Sequence, residues 1–403
     1  MRVLHVYNRH RGGGGADNAW DQTIELSRRL GIEVRGFERD SNTLAPGLRG
    51  MLRAFTNGIY ASRAVQSFDE LLKTAPPDLV HTHELYPLIS PFVLEVAARR
   101  RIPVVHSVYD YRITCPVATH FNGREICTRC QNAGAWNIIA QRCRSSFAEN
   151  IAFSMRHAVA RQRDVFRRNV SHFITLTHFS ADWLETHAGI TPDRISINPC
   201  AIASENTIAD PAQGRFAGFA GRLAHEKGIG TLVAAAKKAS IPLKLALPKG
   251  TDVASIDLPE DMLIVTQSPE ELTEFYRSCR FLVVPSLWFE TFAIVAAEAM
   301  AEGIPVIASD LGALRDTVVR DIAGVHVPPG DVDALAAAMT RLWQNDVLVR
   351  KLGQSAQQHV KTKFNEAEQF ARLCAAYESA RQKPQPGPCH KRFPLLITKA
   401  GFC

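Results

Sequence analysis

Residues 285–316, PSLWFETFAIVAAEAMAEGIPVIASDLGALRD, hold the pattern that decides the fold. The β-rich run Phe281–Val284 leads into a loop that carries Glu290, and a helical run then extends through Glu298. A second β-rich run follows at Pro305–Ala308. Short strands that alternate with helices at this spacing predict a parallel sheet that helices cover on both faces.

The same alternation continues towards both ends of the chain and falls into two series. In the first series we predict strands at Arg2–Tyr7, Glu33–Phe37, Asp78–Thr82, Pro103–Val108, His172–Thr177 and Arg194–Asn198. In the second series we predict them at Arg215–Ala220, Leu243–Leu247, Met262–Thr266, Phe281–Val284, Pro305–Ala308 and Gly324–Val327. Amphipathic helices such as Asp17–Leu30 and Pro91–Arg101 lie between them. Two series imply two doubly wound α/β domains, joined near Pro199–Gly214.

We assign residues 1–199 to an N-terminal Rossmann-like domain and residues 200–363 to a C-terminal one, followed by a closing amphipathic helix at 364–380. The tail, 381–403, is rich in proline and lacks periodicity, so we expect it to be disordered. Ligands of such parallel sheets bind at the carboxyl ends of the strands. The expected site is therefore a central cleft that the two domains face.

Two basic residues lie in GRLAHEKG, residues 221–228, directly after the predicted strand Arg215–Ala220. Arg222 and Lys227 then stand between a strand end and a helix N-terminus, where backbone N–H groups and the helix dipole favour anions. Two cations in that place suit a diphosphate. The alternative is a pair of solvated basic residues on a loop.

Two glutamates, Glu290 and Glu298, lie eight residues apart. That is a little over two helical turns, so both carboxylates can face roughly the same side. Separate carboxylates directed at one cleft suit the vicinal hydroxyls of a ribose or a hexose better than they suit acid–base chemistry. For the pair alone, a solvated helix face is the alternative interpretation.

Together the motifs GRL-x-x-EKG, Glu-x7-Glu and VIASD-x-GA resemble those of the retaining glycosyltransferases of family 4, and the resemblance runs from residue 1 to about residue 380. It implies the GT-B fold, in which two Rossmann-like domains face a central cleft. By this resemblance Arg222 and Lys227 hold the donor diphosphate, Glu298 binds the ribose hydroxyls, and Glu290 binds the transferred sugar. Arg222, Lys227 and Glu290 are the expected catalytic residues.

The chain departs from the family pattern at two sugar-facing places. Thr291-Phe292-Ala293 stands where members usually have Gly or Thr followed by Phe-Gly, and the alanine narrows the approach to the sugar. Tyr109-Asp110-Tyr111 stands where members commonly carry His-Asp-Tyr. A phenol still donates a hydrogen bond but carries no charge near pH 7. We expect His83 and His106 to compensate, with ordinary structural histidines as the alternative.

Four glycines, Gly12–Gly15, lie between the first strand and the helix predicted from Asp17. Glycines let the backbone approach a ligand closely and direct N–H groups at it. By the resemblance, this loop closes over the donor phosphates and the acceptor. Gly14 and Gly15 therefore join Phe292, Ala293, Tyr109, Asp110 and His83 as candidate substrate contacts. A flexible turn is the alternative.

Four cysteines, Cys115, Cys127, Cys130 and Cys143, fall within 29 residues and include a CxxC pair. This spacing suits a tetrahedral structural zinc, which would help to order a segment of little apolar content. The alternative is four reduced cysteines. Disulfides are less expected, because the chain shows no secretory signal.

A formal charge of +7 and a pI of about 9.0 favour anionic partners. Residues 142–168 hold seven arginines against two acidic residues, and a basic amphipathic helix over about 150–168 suits an anionic membrane surface. An ordinary surface helix that covers the sheet is the alternative. No apolar run approaches the roughly 20 residues of a membrane span. We expect a cytoplasmic protein that is peripheral at the inner face of the membrane.

The implied reaction moves a sugar from a UDP- or GDP-sugar to a hydroxyl of a sugar or lipid-linked sugar with retention, in polysaccharide or glycolipid biosynthesis. We expect no catalytic metal, because Asp331-Val332-Asp333 follows Pro-Pro-Gly and opens a helix, so that Asp331 is interpreted as an N-cap. A sugar-nucleotide epimerase of the same fold and a non-catalytic nucleotide-sugar-binding protein are the alternatives. The arginines are not interleaved with a recognisable nucleic-acid-binding module, so we expect no nucleic-acid partner.

Overall fold

The computed structural model describes residues 1–10, 15–29, 31–45, 47–204, 208–253 and 257–382, which hold twelve β-strands and sixteen α-helices. The first half contains β1 (Arg2–Arg9), α1 (Gly15–Arg29), β2 (Glu33–Asp40), α2 (Leu48–Tyr60), α3 (Ser62–Thr74), β3 (Leu79–Thr82), α4 (Val93–Arg99), β4 (Val104–Ser107), α5 (Arg129–Ala133), α6 (Asn137–Gln141), α7 (Phe147–Gln162), α8 (Val165–Asn169), β5 (His172–Thr175), α9 (His178–Ala188) and β6 (Ile195–Ile197). The second half contains β7 (Phe216–Ala220), α10 (Ile229–Ala239), β8 (Leu243–Leu247), β9 (Leu263–Val265), α11 (Pro269–Ser278), β10 (Cys279–Val284), α12 (Ile294–Ala301), β11 (Val306–Ser309), α13 (Leu314–Thr317), β12 (Gly324–Val327), α14 (Val332–Trp343), α15 (Asp346–Lys363) and α16 (Glu366–Gln382).

The strands form two six-stranded sheets in which all neighbours are parallel. The strand order is β2-β1-β3-β4-β5-β6 in the first sheet and β12-β11-β10-β7-β8-β9 in the second. The predicted α/β class with two parallel sheets is therefore confirmed. Each of the twelve predicted strands is present, with ends that differ by a few residues at most.

The central strands are buried along their whole length. In β10, whose sequence is CRFLVV, all six residues are buried, and so are all four residues of β3, β4 and β5. Parallel strands covered by helices on both faces have no solvent-facing side. Their sequences are therefore continuous apolar runs and do not alternate between apolar and polar residues. Because β7 and β10 are neighbours, the loops that follow them meet at one edge of the second sheet.

The closing helix α16 returns to the first sheet. Its residues Leu373, Ala376 and Tyr377 pack against Val3 of β1 and Ile174 of β5. The Tyr377 hydroxyl also lies 2.8 Å from Nδ1 of His81 in β3. The helix runs two residues further than predicted, to Gln382, and 383–403 of the predicted tail lie outside the described residues.

The single helix predicted over about 150–168 is wrong. The chain forms α7 and α8 instead, because Asp164 adopts a left-handed conformation with φ of 53° and interrupts the helix. Asp164 then pairs with Arg167 at 2.6 Å. Val165 and Phe166 of α8 are buried in the core of the first sheet, so they are not available to a membrane surface. Within the described residues, no helix combines the length and apolar character needed to cross a membrane.

Asp331 is the N-cap of α14, as the sequence predicts, and its Oδ1 accepts hydrogen bonds from the backbone N–H groups of Asp333 at 3.0 Å and Ala334 at 2.9 Å. We expect Asp331→Ala to lower the free energy of unfolding by about 1 kcal/mol, because these two N–H groups lose their partner. Asp331→Asn keeps a capping oxygen and should unfold like the parent chain. Urea unfolding of both variants checks this, and equal losses in the two would contradict the capping role.

Candidate functional site

The loops after β7 and β10 are in direct contact. The backbone N–H of Leu287 donates to the carbonyl of Glu226 at 2.8 Å. Gly228 has φ of +73°, and a Cβ added there would lie 1.9 Å from the carbonyl oxygen of Pro285. Only glycine allows this conformation together with so close an approach. The two predicted donor motifs are thus held against each other.

This contact places Lys227 beside Glu290. The Lys227 Nζ donates to Oε1 of Glu290 at 2.8 Å, and the same oxygen accepts from Ser286 Oγ at 2.6 Å and Trp288 Nε1 at 2.8 Å. Burial alone would raise the pKa of Glu290, but the Lys227 charge and these hydrogen bonds lower it below its ordinary value. Glu290 is therefore an ionised, buried carboxylate at the loop junction.

Arg222 is placed differently from Lys227, although the sequence pairs them. Its side chain is exposed, and among the described residues it has no hydrogen bond or ion pair. Lys227 is half-buried and lies with its Nζ 5.0 Å from the centroid of the Trp288 ring. The structure therefore brings Lys227 and Glu290 together and leaves the Arg222 guanidinium available to solvent.

Glu298 lies on α12 and accepts a hydrogen bond from the Tyr276 hydroxyl at 2.8 Å. Burial raises the pKa of Glu298 above its ordinary value, and the Tyr276 hydrogen bond offsets part of that rise. Glu290 and Glu298 do not lie on one helix, because α12 begins only at Ile294 and Glu290 belongs to the preceding loop. The expected helical spacing of two turns therefore does not relate their side chains. Tyr276 was not identified from the sequence, in which nothing marks it.

The next two predicted contacts have distinct environments. Phe292 is 3% exposed and packs against Phe364, with ring centroids 5.1 Å apart, so its side chain belongs to the core. Ala293 caps α12 in a left-handed conformation, with φ of 60° and ψ of 65°. That conformation costs a residue with a Cβ roughly 1–2 kcal/mol. The glycine that the family pattern has at this position would adopt the same left-handed conformation without that cost.

The Glu290 loop also contacts the first domain. The Tyr111 hydroxyl donates to the carbonyl of Glu290 at 3.0 Å, and the Thr291 hydroxyl donates to the carbonyl of Tyr109 at 3.1 Å. The Thr177 hydroxyl donates to the Thr291 carbonyl at 3.3 Å. Residues 109–111, predicted on the opposite side of the cleft, thus lie directly against the loop that carries Glu290.

A small cavity of about 20 Å³ lies at the carboxyl ends of β3 and β4, and its polar lining includes His83, Glu84, Tyr109, Asp110 and Arg112. Asp110 Oδ2 accepts from Arg112 Nε at 3.0 Å and Nη2 at 2.6 Å. The same guanidinium lies 3.4 Å from the Glu84 carboxylate. Arg112 therefore neutralises much of the charge of the buried Glu84 and the half-buried Asp110 next to Tyr109.

Tyr109 is held by a chain of buried histidines. Its hydroxyl lies 3.0 Å from His83 Nδ1, and His83 Nε2 lies 3.1 Å from His5 Nδ1. Burial lowers the pKa of His83 well below its ordinary value, so its imidazole is neutral. His106 lines the same cavity, hydrogen-bonds to Thr82 at 2.9 Å and packs on Phe166.

Comparison with known proteins decides the family. The sequence profile described as Glycosyl transferase 4-like domain matches residues 10–201, and the profile described as Glycosyl transferases group 1 matches residues 204–359. The chain belongs to the group 1 glycosyl transferases. The predicted resemblance to family 4 and the GT-B fold are confirmed.

Relatives of this group 1 chain differ in name and substrate. An MMP alpha-(1->4)-mannosyltransferase of Mycolicibacterium hassiacum is 28% identical over 229 residues, which are 53% of this chain and 55% of that protein. The chain spans about half the length of the curated relatives it matches. The structure of sucrose-phosphate synthase of Thermosynechococcus elongatus superposes with a TM-score of 0.66 and is 20% identical in sequence. The superposition covers 94% of this chain and 98% of the synthase chain. The structure of Anabaena HepE in complex with UDP-glucose superposes with a TM-score of 0.60 and is 17% identical in sequence. The superposition covers 94% of this chain and 100% of the HepE chain.

The remaining predicted residues are two glycines and four cysteines. Gly15 begins α1, and a Cβ there would meet nothing within 4 Å, whereas Gly14 lies outside the described residues. The four cysteines are unpaired thiols between β4 and α7. Burial raises the pKa of Cys130 to about 12, and the charges of Cys115, Cys143 and Cys127 add to the rise.

The two glutamates of this group 1 chain should respond oppositely to neutralisation. Glu290→Gln leaves the half-buried Lys227 without its counter-charge, so we expect the free energy of unfolding at pH 7 to fall by about 1–3 kcal/mol. Because the folded-state pKa of Glu290 is lowered, its contribution is present above the unfolded-state pKa and is lost as the pH falls through the folded-state value.

Glu298 has a raised pKa in the folded state, so its ionised form opposes folding once the pH exceeds that value. Glu298→Gln retains an oxygen for the Tyr276 hydroxyl, and we expect an unchanged or higher free energy of unfolding at pH 7. Urea unfolding at pH 7 and at pH 4 measures both variants. If Glu298→Gln lowers the free energy of unfolding as much as Glu290→Gln does, the two glutamates do not have opposite effects on stability.

The contact between the two loops depends on Gly228. Gly228→Ala adds a Cβ at positive φ against the Pro285 carbonyl, and we expect a loss of about 2–4 kcal/mol in unfolding free energy. Gly230 lies two residues further along the chain, and a Cβ added there would have no neighbour within 4 Å. Gly230→Ala should therefore change the free energy of unfolding by no more than about 1 kcal/mol. Thermal unfolding of the two variants tests the constraint, and matching melting temperatures would disprove it.

Proposed function

We propose that the protein transfers a sugar from a nucleoside diphosphate sugar to an acceptor hydroxyl, with retention of the anomeric configuration. The observation that carries the proposal is the junction at which Lys227 and Glu290 form an ion pair while residues 109–111 of the other domain touch the same loop. The junction combines a cation for phosphate with a carboxylate for sugar hydroxyls, and it lies beside the polar residues around Tyr109.

The donor diphosphate is assigned to Lys227, Arg222 and the N-terminus of α10. Lys227 has three N–H donors, so it can keep its bond to Glu290 and still donate to a phosphate oxygen. The exposed Arg222 guanidinium has its donors free for the second phosphate. Fixed positive groups directed at the leaving diphosphate stabilise the charge that develops in the transition state, which is commonly the largest contribution to catalysis. No metal is invoked for this step.

The transferred sugar is assigned to Glu290. All three of its hydrogen-bond donors, Lys227, Ser286 and Trp288, reach Oε1, so among the described residues Oε2 has no donor. An ionised carboxylate with one oxygen held and the other unengaged is suited to accept from sugar hydroxyls. Glu298 is arranged similarly, because Tyr276 donates to its Oε2, and we assign its other oxygen to the ribose hydroxyls.

Retention is proposed to occur by front-face attack, in which the leaving phosphate oxygen takes the proton of the acceptor hydroxyl. A double displacement needs a free carboxylate on the far face of the sugar. In the cavity beside Tyr109, Arg112 already binds both Asp110 and Glu84, which disfavours either as a nucleophile. Tyr109, held by His83, is assigned to orient the sugar in place of the family histidine.

The acceptor is proposed to be a sugar or a lipid-linked sugar in polysaccharide or glycolipid biosynthesis, at the inner face of the membrane. The neighbouring helices α2 and α7 expose the apolar side chains of Met51, Leu52, Phe147 and Met155. The α2 sequence, LRGMLRAFTNGIY, contains two arginines and no acidic residue. Apolar side chains beside arginines suit an anionic lipid surface. We therefore assign the proposed membrane contact to α2 as well as to α7.

Donor binding provides the first test. We expect Lys227→Ala and Glu298→Ala each to weaken UDP-glucose or GDP-mannose binding by about 10- to 100-fold, because each removes a hydrogen bond to a charged group. Lys238→Ala, on the exposed end of α10, is the matched control and should bind normally. Isothermal titration calorimetry with both donors gives the affinities. Unchanged binding in the first two variants would exclude this donor site.

Transfer itself is tested by incubating the chain with the donor that binds and a panel of sugar acceptors. NMR of the product's anomeric signals should show the configuration of the donor. An inverted product would contradict front-face attack. Isomerised donor without an acceptor would indicate a sugar-nucleotide epimerase, and binding without turnover would indicate a non-catalytic nucleotide-sugar-binding protein.

A further inference from the structure

We propose that Trp288 is a positioning residue of the donor site: its indole N–H holds the Glu290 carboxylate, and its ring face holds the Lys227 ammonium. Neither the donor motifs nor the proposed reaction gives this side chain a role. The consequences for sugar binding rest on the proposed function. The positioning itself is a property of the loop and can be measured without any ligand.

The loop after β10 supplies its own hydrogen bonds to Glu290. Trp288 Nε1 donates to Glu290 Oε1 at 2.8 Å, and Ser286 Oγ donates to the same oxygen at 2.6 Å. Both donors lie within four residues of Glu290, so they depend on no other segment of the chain. Glu290 is 7% exposed, and a carboxylate buried so deeply needs such donors to remain ionised. The loop therefore fixes one carboxylate oxygen by itself.

The bond from Lys227 to Glu290 is of a different kind. The Lys227 Nζ also donates to Oε1 at 2.8 Å, but it comes from the loop after β7. An ammonium on a flexible four-carbon stem is a point charge with three rotatable donors, so it attracts a carboxylate without fixing its direction. The proposed donor diphosphate would also compete with Glu290 for the Lys227 charge. The donors within the loop are thus the ones that keep Glu290 in place when the diphosphate is bound.

The ring of Trp288 acts on Lys227. The Lys227 Nζ lies 5.0 Å from the ring centroid. A cation within about 6 Å of an indole face is attracted by the negative face of the π system. This attraction is not directed at a single atom, so the ammonium can turn from the carboxylate towards a phosphate oxygen and remain over the ring. One side chain therefore holds both charged residues of the site.

The backbone on each side of Trp288 is anchored. Before it, the Leu287 N–H donates to the Glu226 carbonyl of the second domain at 2.8 Å. After it, the Glu290 carbonyl accepts from the Tyr111 hydroxyl of the first domain at 3.0 Å. Two anchors give the half-buried indole a fixed origin, which a group that positions another side chain requires.

Two substitutions separate the N–H of Trp288 from its ring. Trp288→Phe keeps a ring face for Lys227 but lacks the N–H. Trp288→Gln keeps an N–H at the same number of bonds from Cα but lacks the ring. Trp343→Phe is the matched control, because Trp343 of α14 also lies beside a cation, with the Arg280 guanidinium 5.6 Å from its ring centroid.

Isothermal titration calorimetry with UDP and UDP-glucose, and with GDP and GDP-mannose, compares the variants. Trp288→Phe should bind the nucleoside diphosphate like the parent chain and lose about 10-fold in affinity for the nucleotide sugar, because only the sugar depends on Glu290. Trp288→Gln should weaken both ligands by a similar factor of about 2 to 5, because Lys227 loses the ring. Trp343→Phe should bind normally. Equal losses for both ligands in Trp288→Phe, or no loss for either, would overturn the positioning role.

A titration without ligand measures the contact directly. Two titratable groups face Glu290, Lys227 from the loop after β7 and Tyr111 from the first domain. Burial raises the pKa of Glu290, but the Lys227 charge and the hydrogen bonds from Lys227, Ser286 and Trp288 lower it overall. Trp288→Phe removes one of these bonds, so the pKa of Glu290 should rise. Carbon-13 NMR of chains labelled at the glutamate carboxyls follows it, and the signal is assigned by its absence from Glu290→Gln.

The two measurements separate failure of this proposal from failure of the proposed function. A parent chain that binds none of the four ligands contradicts the proposed donor site, and the titration then still decides whether Trp288 holds Glu290. An unchanged pKa of Glu290 in Trp288→Phe overturns the positioning role. A rise of equal size in Trp343→Phe also overturns it, because it would indicate a general loosening of the fold.

Discussion

The contact between the loops after β7 and β10 is the constraint on which the site depends. Gly228 passes so close to the Pro285 carbonyl that no side chain fits, and the Leu287–Glu226 hydrogen bond holds the loops in register. Neither loop alone would place its charged residue, because each is an irregular segment at a strand end. Held together, they bring the Lys227 Nζ within 2.8 Å of Glu290 Oε1, and no donor in the described part of the chain reaches Oε2. The arrangement is prepared in advance, so a ligand need not reorganise it.

The same loop joins the two domains, which ties the proposed donor site to the domain arrangement. The Tyr111 hydroxyl donates to the Glu290 carbonyl and the Thr291 hydroxyl donates to the Tyr109 carbonyl, and Tyr111 packs in an aromatic cluster with Trp183 and Phe289. Bonds to carbonyls specify where the backbone lies but leave the Glu290 side chain free for another role. Tyr109 and Ala293, the two residues that depart from the family pattern, flank this junction. Tyr109 is supported by its histidine chain, whereas Ala293 bears a strain that glycine would relieve.

Opposite electrostatic environments separate the two glutamates that look equivalent in sequence. Glu290 is buried beside a cation and has a lowered pKa, whereas Glu298 is buried beside a phenol and has a raised one. The first carboxylate therefore stabilises the fold when it is ionised. The second opposes folding when it is ionised, which is expected of a residue kept for a ligand rather than for stability. In the cavity beside Tyr109, Glu84 follows the first pattern, because the Arg112 charge helps to lower its pKa, whereas burial raises the pKa of Asp110.

The sequence by itself determined the class, the strands and the loops that matter. Buried parallel strands are continuous apolar runs, and the loops at their carboxyl ends are the expected ligand loops, so the twelve strands, the α14 cap at Asp331 and the loops that carry Lys227 and Glu290 could be predicted directly. Tertiary structure alone decided which side chains meet. Tyr276 beside Glu298, the return of α16 to the first sheet and the break at Asp164 arise from contacts between distant segments or from a single backbone torsion. Periodicity describes only which face of an element is apolar and carries no information about what lies opposite it.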